Sequence, residues 1–211
     1  MARFRLPNPW VNNDPRAVQQ NFDGIQDYLN ELAAPVPEVT SLPASPYNRQ
    51  VVDYVADATN GVVWRLRYRA TSGSAYKWEF IGGTPLHSIQ TNATTRATST
   101  YGDVASGAAP VFTLALAGDY LIEVGSNMAP GSTGNGMFAS FSVAGATALD
   151  SDAALVYLST APVGGQLGVV NLSKKTGLAA GTTIQQKWKM QGSVAGSVDR
   201  RWITIRPVRV G

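Results

Sequence analysis

Between residues 62 and 70 the side chains alternate without a break. Trp64, Leu66 and Tyr68 fall on one side of an extended chain, and Arg65, Arg67 and Arg69 on the other. A helix does not sort neighbours in this way, because only a period of two sends successive residues to opposite faces. The same period returns further on. Tyr76, Trp78 and Phe80 oppose Lys77 and Glu79, Phe112, Leu114 and Leu116 alternate, and so do Tyr120, Ile122 and Val124. Late in the chain Ile184, Trp188 and Met190 oppose Gln185, Lys187, Lys189 and Gln191. Turn residues punctuate these runs: Thr59-Asn60-Gly61, an Asn-Gly hairpin signal, then Thr71-Ser72-Gly73-Ser74, Gly82-Gly83-Thr84-Pro85 and Ala117-Gly118-Asp119. The pattern predicts strands over 50–56, 62–70, 75–81, 112–116, 120–124, 137–143, 153–159, 166–172, 182–191 and 201–210. The fold class is therefore mainly β: a small antiparallel meander over 49–85 and an antiparallel sandwich or jelly roll over 86–211. So short a meander cannot bury its aromatic face alone, and must lay it on the next domain or on a neighbouring chain.

The first 34 residues depart from this pattern. Asp14-Pro15 is a helix start, since the Asp side chain caps free N–H groups and proline suits the first helical position. Val18, Phe22, Ile25, Leu29 and Leu32 follow at steps of four, three, four and three, forming one apolar stripe. Two readings stand: an amphipathic helix lying on its own domain, or a short parallel coiled coil joining identical chains. With Phe22 and Leu29 at a and Val18, Ile25 and Leu32 at d, the coiled-coil reading favours three or four strands over two. A proline-rich stretch over 35–48 follows, extended and fairly stiff, and separates the helix from the sheets.

Composition narrows the chemistry. The chain has no cysteine and one histidine, His87, which rules out disulfides, thiolate sites and two-histidine metal sites within one chain. The formal charge of +3 over 211 residues is too small for an electrostatic footprint on nucleic acid. No run of 18 apolar residues spans a membrane, and the N-terminus lacks the apolar core of a secretion signal. No phosphate loop, dinucleotide fingerprint or nucleophile elbow is present; the Gly-Ser-Thr-Gly-Asn-Gly stretch at 131–136 lacks the Gly-Lys-Ser/Thr ending and reads as a loop. Asp150 and Asp152 form the one close carboxylate pair of the sandwich, better explained by a solvated turn than by glycosidase chemistry. His87, beside Pro85-Leu86, is a linker or interface residue. We expect no catalytic residues, no cofactor and no metal.

Three surface features remain. The Arg65, Arg67 and Arg69 row, spaced about 6.5–7 Å along a strand, repels itself unless acids or a partner lie opposite. Asp53 and Glu79 on neighbouring strands supply one answer; docking onto an acidic surface of a larger assembly or an anionic glycan supplies the other. Trp188 and Trp202 are the first aromatic platforms to test for sugar binding. The N-terminal arm, with Arg3, Phe4, Arg5 and Trp10, reads either as a plug into a larger assembly or as a tail.

The run from Leu42-Pro43-Ala44-Ser45-Pro46 through Val51–Asp57, Gly61-Val62-Val63-Trp64 and Tyr76-Lys77-Trp78-Glu79-Phe80-Ile81-Gly82-Gly83 resembles a module of minor structural proteins in tailed bacteriophages, where it follows a short N-terminal helix. The resemblance covers residues 15–85. Phe112-Thr113-Leu114, Gly118-Asp119-Tyr120-Leu121-Ile122-Glu123-Val124, Gly177-Leu178-Ala179-Ala180-Gly181-Thr182 and Trp202-Ile203-Thr204-Ile205-Arg206-Pro207-Val208 resemble the trimeric heads of complement C1q-like and tumour-necrosis-factor-like proteins. The chain has neither the collagen-like stalk nor the acidic calcium cluster of that family. These resemblances imply a homotrimeric fibre, spike or decoration protein of a virion, attached to other virion proteins through its N-terminal region. The alternative is an adhesin that recognises host surface glycan.

Overall fold

The computed structural model describes residues 35–105, 107–158 and 166–211, together with Gln19, Phe22, Asp23, Ile25 and Gln26. Among the described residues thirteen strands form two sheets, one of nine strands and one of four. The meander comprises β1 (Glu38–Val39), β2 (Val51–Asp57), β3 (Val62–Tyr68) and β4 (Trp78–Gly83). The β2–β3 hairpin closes where the sequence signals it. Gly61 takes the left-handed conformation at φ 65°, and the Asp57 carboxylate accepts the N–H groups of Thr59 and Asn60 at 3.0 and 3.1 Å. Tyr54 then lies opposite Trp64, and Tyr68 opposite Trp78.

The remaining strands are β5 (Leu86–Gln90), β6 (Thr94–Arg96), β7 (Val111–Thr113), β8 (Gly118–Ala129), β9 (Asn135–Val143), β10 (Ala154–Leu158), β11 (Leu167–Leu178), β12 (Thr183–Met190) and β13 (Gly196–Val210). One layer runs β5/β6, β13, β8, β11, and the facing layer runs β7, β12, β9, β10. That two-sheet order, with strands crossing repeatedly between layers, is a jelly roll. The long β13 splices the two parts of the protein into one sheet. Along one side it pairs with β8. Along the other it meets β6 at 196–198, β5 at 201–205 and β4 at 209–210.

The aromatic face of the meander is buried by this splice. Trp64, Leu66, Trp78 and Tyr54 share one core with Tyr120, Ile122, Val124, Ile203, Ile205 and Val210 of the jelly roll. Trp64 and Tyr120 stand 6.3 Å apart, centre to centre, at a tilted angle favourable for aromatic rings. Of the two ways to cover that face, the chain uses its own next domain. A second core, around Met128, Met137, Trp188, Met190 and Val198, fills the far end of the sandwich.

The proline-rich stretch is held to the sheet. Its strand β1 pairs in parallel with β2, and Val39 and Leu42 pack against the main core. Of the predicted apolar stripe, Val18, Leu29 and Leu32 lie outside the described residues. Phe22 and Ile25 are helical and exposed, at 63% and 37%. The arm residues Arg3, Phe4, Arg5 and Trp10 also lie outside the described residues.

Candidate functional site

The outer face of the large sheet carries an apolar row four strands wide. In register across it stand Val170 on β11, Gly125 on β8, Trp202 on β13 and Ile89 on β5. Val170 and Ile89 are 57% and 45% exposed, and Leu172 beside them 52%. The row depends on Gly125. A side chain there would place its Cβ 2.0 Å from two carbons of the Trp202 indole, so the ring lies across the β8 backbone where a side chain would stand. From inside the sandwich the buried Gln186 amide donates to the Gly125 carbonyl at 2.9 Å. The neighbouring register row starts with Leu172 and is polar beyond it, through Glu123, Thr204 and His87. Glu123 accepts the Trp202 indole N–H at 3.2 Å, and His87 Nδ1 and the Thr204 hydroxyl are 3.0 Å apart. His87 is thus a surface residue of this face.

Further apolar side chains are exposed at one edge of the sandwich, where β10 ends one sheet and β11 the other. Ala154 and Val156 point into the core, so Leu155 and Tyr157 point out, 47% and 52% exposed; Leu167 is 50% exposed.

Trp188 is fully buried in the second core, on the inner side of β12, and presents no platform to a ligand. The expectation that it forms part of a surface fails because its strand alternates with the buried side at 184, 188 and 190. Lys187 and Lys189 take the outer side. Trp202 lies on the outer side of β13 and is half-buried.

Around Arg65, Arg67 and Arg69 the neighbouring acids do what the sequence offered as one answer. Asp53 takes Arg65 through two bonds, at 2.8 and 2.7 Å, and these lower its carboxyl from the ordinary aspartate value. Glu79 receives both Arg67 and Arg69 on a single oxygen, at 2.8 and 2.9 Å, and these bonds lower it likewise.

The carboxylate pair of the sandwich does not form a dyad. Asp150 and Asp152 sit in a single 3-10 turn, and each has its own lysine: Lys189 on Asp150 at 2.6 Å and Lys175 on Asp152 at 2.5 Å. The Lys189 bond holds Asp150 below the ordinary aspartate value, the opposite of what a general acid needs. Nearby, an open hollow of about 240 Å³ lies on the outer face of the small sheet. Ser142, Gln185 and Lys187 line it together with Tyr101. Its one cation is already paired, Lys187 to Asp103 at 2.9 Å. Among the described residues no cluster of three or more His, Asp or Glu is placed to hold a metal, and no helix is long and apolar enough to cross a membrane.

No protein-family model matches the chain, and no curated protein matches it. Among solved structures, a carbohydrate-binding module of Cellvibrio mixtus lichenase 5A in complex with cellotriose overlaps 57% of this chain and 90% of its own, at 20% identity and a TM-score of 0.25. The structure of infectious bursal disease virus Gx strain overlaps 81% of this chain at 10% identity and a TM-score of 0.33. The overlap covers 54% of that viral chain, about half its length. At these values neither likeness carries an argument about function.

Proposed function

We propose that the chain is a non-catalytic structural protein of a bacteriophage particle, a homotrimer that projects the jelly roll outward from an attachment through its N-terminal region. The observation that carries the reading is the apolar row in which Val170 and Ile89 are exposed on either side of a half-buried Trp202 lying over Gly125, with exposed Leu172 beside it. A contiguous apolar surface of this kind marks an interaction site. Further apolar side chains, Leu155, Tyr157 and Leu167, are exposed at the β10–β11 edge. An edge of one copy set on the face of the next is a heterologous contact, the kind that closes into a ring where the rotation between copies is one third of a turn. The jelly-roll strand order agrees with the resemblance to trimeric heads, and the phage assignment rests on the resemblance over residues 15–85. Three heads on one particle also raise avidity for a repeated ligand without demanding a strong single site.

The test is Ile89→Asp in the full-length protein, which sets a carboxylate beside Trp202 at one end of the apolar row. Multi-angle light scattering should show the trimer dissociate while circular dichroism keeps its β signature. An unchanged trimer would remove this face from the account.

One observation favours a second reading on the same face. An indole lying across a glycine, beside the Glu123 carboxylate and the Thr204 and His87 side chains, offers an aromatic surface with polar neighbours of the kind that sugars use. Host surface glycan would then be the ligand. Glycan-array binding by the wild-type protein, lost in Trp202→Ala without change in oligomeric mass, would favour this reading over the first.

A further inference from the structure

The outer face of the meander holds more positive charge than its acids can use. Glu79 lies in register between Arg67 on β3 and Arg209 on β13. One of its oxygens already serves both Arg67 and Arg69. Arg209 does not reach a carboxylate: its guanidinium bonds the Ser72 hydroxyl, while Asp119, its register neighbour on β8, accepts the Gly177 N–H at 3.0 Å. Lys77 is in the same position, its ammonium donating to the Ser72 carbonyl at 2.5 Å. Among the described residues, four cations thus surround one carboxylate, and two of them are satisfied only by neutral oxygens of one serine. Their surplus of three equals the formal surplus of the whole chain. Arg67 adds a buried Nε–H with no acceptor, a donor held out of water without a partner.

We infer that Arg67, Arg69, Lys77 and Arg209 form a receiving site for an acidic, extended segment of a partner protein. The spacing selects a peptide over a compact oxyanion. Phosphate or sulfate esters need donors converging within about 3 Å of one centre, and here the Glu79 carboxylate already occupies the point where Arg67 and Arg69 converge. The cations are instead spread along and across strands. Residues two apart on a strand are about 6.5–7 Å from each other, which is also the spacing of alternate carboxylates on an extended chain. Guanidinium forks match carboxylates in shape and take them by paired hydrogen bonds. Arg67 and Arg69 retain 34% and 42% side-chain exposure, so an arriving carboxylate can reach them. The inference does not depend on the trimer or on the identity of the particle.

The test uses the full-length protein and a fluorescein-labelled ten-residue peptide of alternating Glu and Val, followed by anisotropy at 50 mM and 300 mM salt. The wild-type protein should bind at low salt and weaken at least tenfold at high salt. The double variant Lys77→Gln/Arg209→Gln, which breaks no ion pair, should lose at least tenfold in affinity. Ser72→Glu, which sets a carboxylate where Lys77 and Arg209 converge, should block the peptide as well. Arg49→Gln, an exposed cation outside the cluster, should leave binding unchanged. Undiminished binding in both site variants would overturn the inference. So would failure of the wild-type protein to bind the peptide at low salt, or tighter, variant-sensitive binding of a heparin octasaccharide in its place.

Discussion

Gly125→Ala tests the geometry of the apolar row directly. The added methyl would lie 2.0 Å from Cε2 and Cζ2 of Trp202 and 2.6 Å from its Nε1, where carbon contacts normally begin at about 3.5 Å. The obstacle is a rigid ring rather than the tip of a flexible chain, so the indole must swing off the sheet. That displacement breaks the 3.2 Å bond to Glu123 and exposes the β8 backbone. Overpacking of this kind costs about 1–3 kcal/mol. For a protein of this length it lowers Tm by roughly 2–4 °C per kcal/mol. The assay is a double-mutant cycle with Trp202→Ala, read by urea midpoint at constant m-value. With the indole gone the three nearest atoms to the added methyl are removed, so Gly125→Ala should cost less than about 0.5 kcal/mol in the Trp202→Ala background. Equal costs in both backgrounds would mean that Trp202 does not rest on Gly125, and the row as described would be wrong.

Trp188→Ala empties a fully buried site in the second core and should cost about 3–5 kcal/mol by urea denaturation, whereas Tyr157→Ala at the exposed edge should cost less than about 1 kcal/mol. Acid should weaken the meander. Arg65 lowers Asp53, and Arg67 with Arg69 lower Glu79, so both acids contribute stability above the ordinary carboxylate range, lost as pH falls through their lowered values. Urea midpoints measured from pH 5 down to pH 2 should therefore fall, and Glu79→Gln should flatten the slope; an unchanged slope would show that the pair adds nothing to folding.

The strands with an uninterrupted two-residue period were legible in the sequence. β3 and β12 were read from their alternation and the β2–β3 turn from Asn60-Gly61, because each of these signals is local. Strands β5 and β6 were not. In β5 the apolar Ile89 faces out while Ser88 and Gln90 lie partly buried, an inverted pattern that only pairing with β13, more than a hundred residues away, makes stable. β1 was hidden for a similar reason: two residues in a proline-rich stretch form a strand only because β2 receives them in parallel. The Arg65, Arg67 and Arg69 row and its two acids were visible from neighbouring strands, but the part of Arg209 depended on β13 reaching β4. Trp188 and Trp202 looked alike as aromatic residues. The period of β12 already set Trp188 beside Ile184 and Met190, whereas the exposure of Trp202 turned on a glycine from another strand. The fully buried Arg201, which donates to the Asn92 carbonyl at 2.7 Å, had no sequence signal, because its acceptors come from loops shaped by the finished fold.

The central claim is that copies of this chain cover one another's apolar surfaces. Sedimentation equilibrium of the full-length protein at micromolar concentration tests it most directly. The account predicts a single species at three times 22.4 kDa. A stable, fully folded species at 22.4 kDa that shows no association as concentration rises would contradict it.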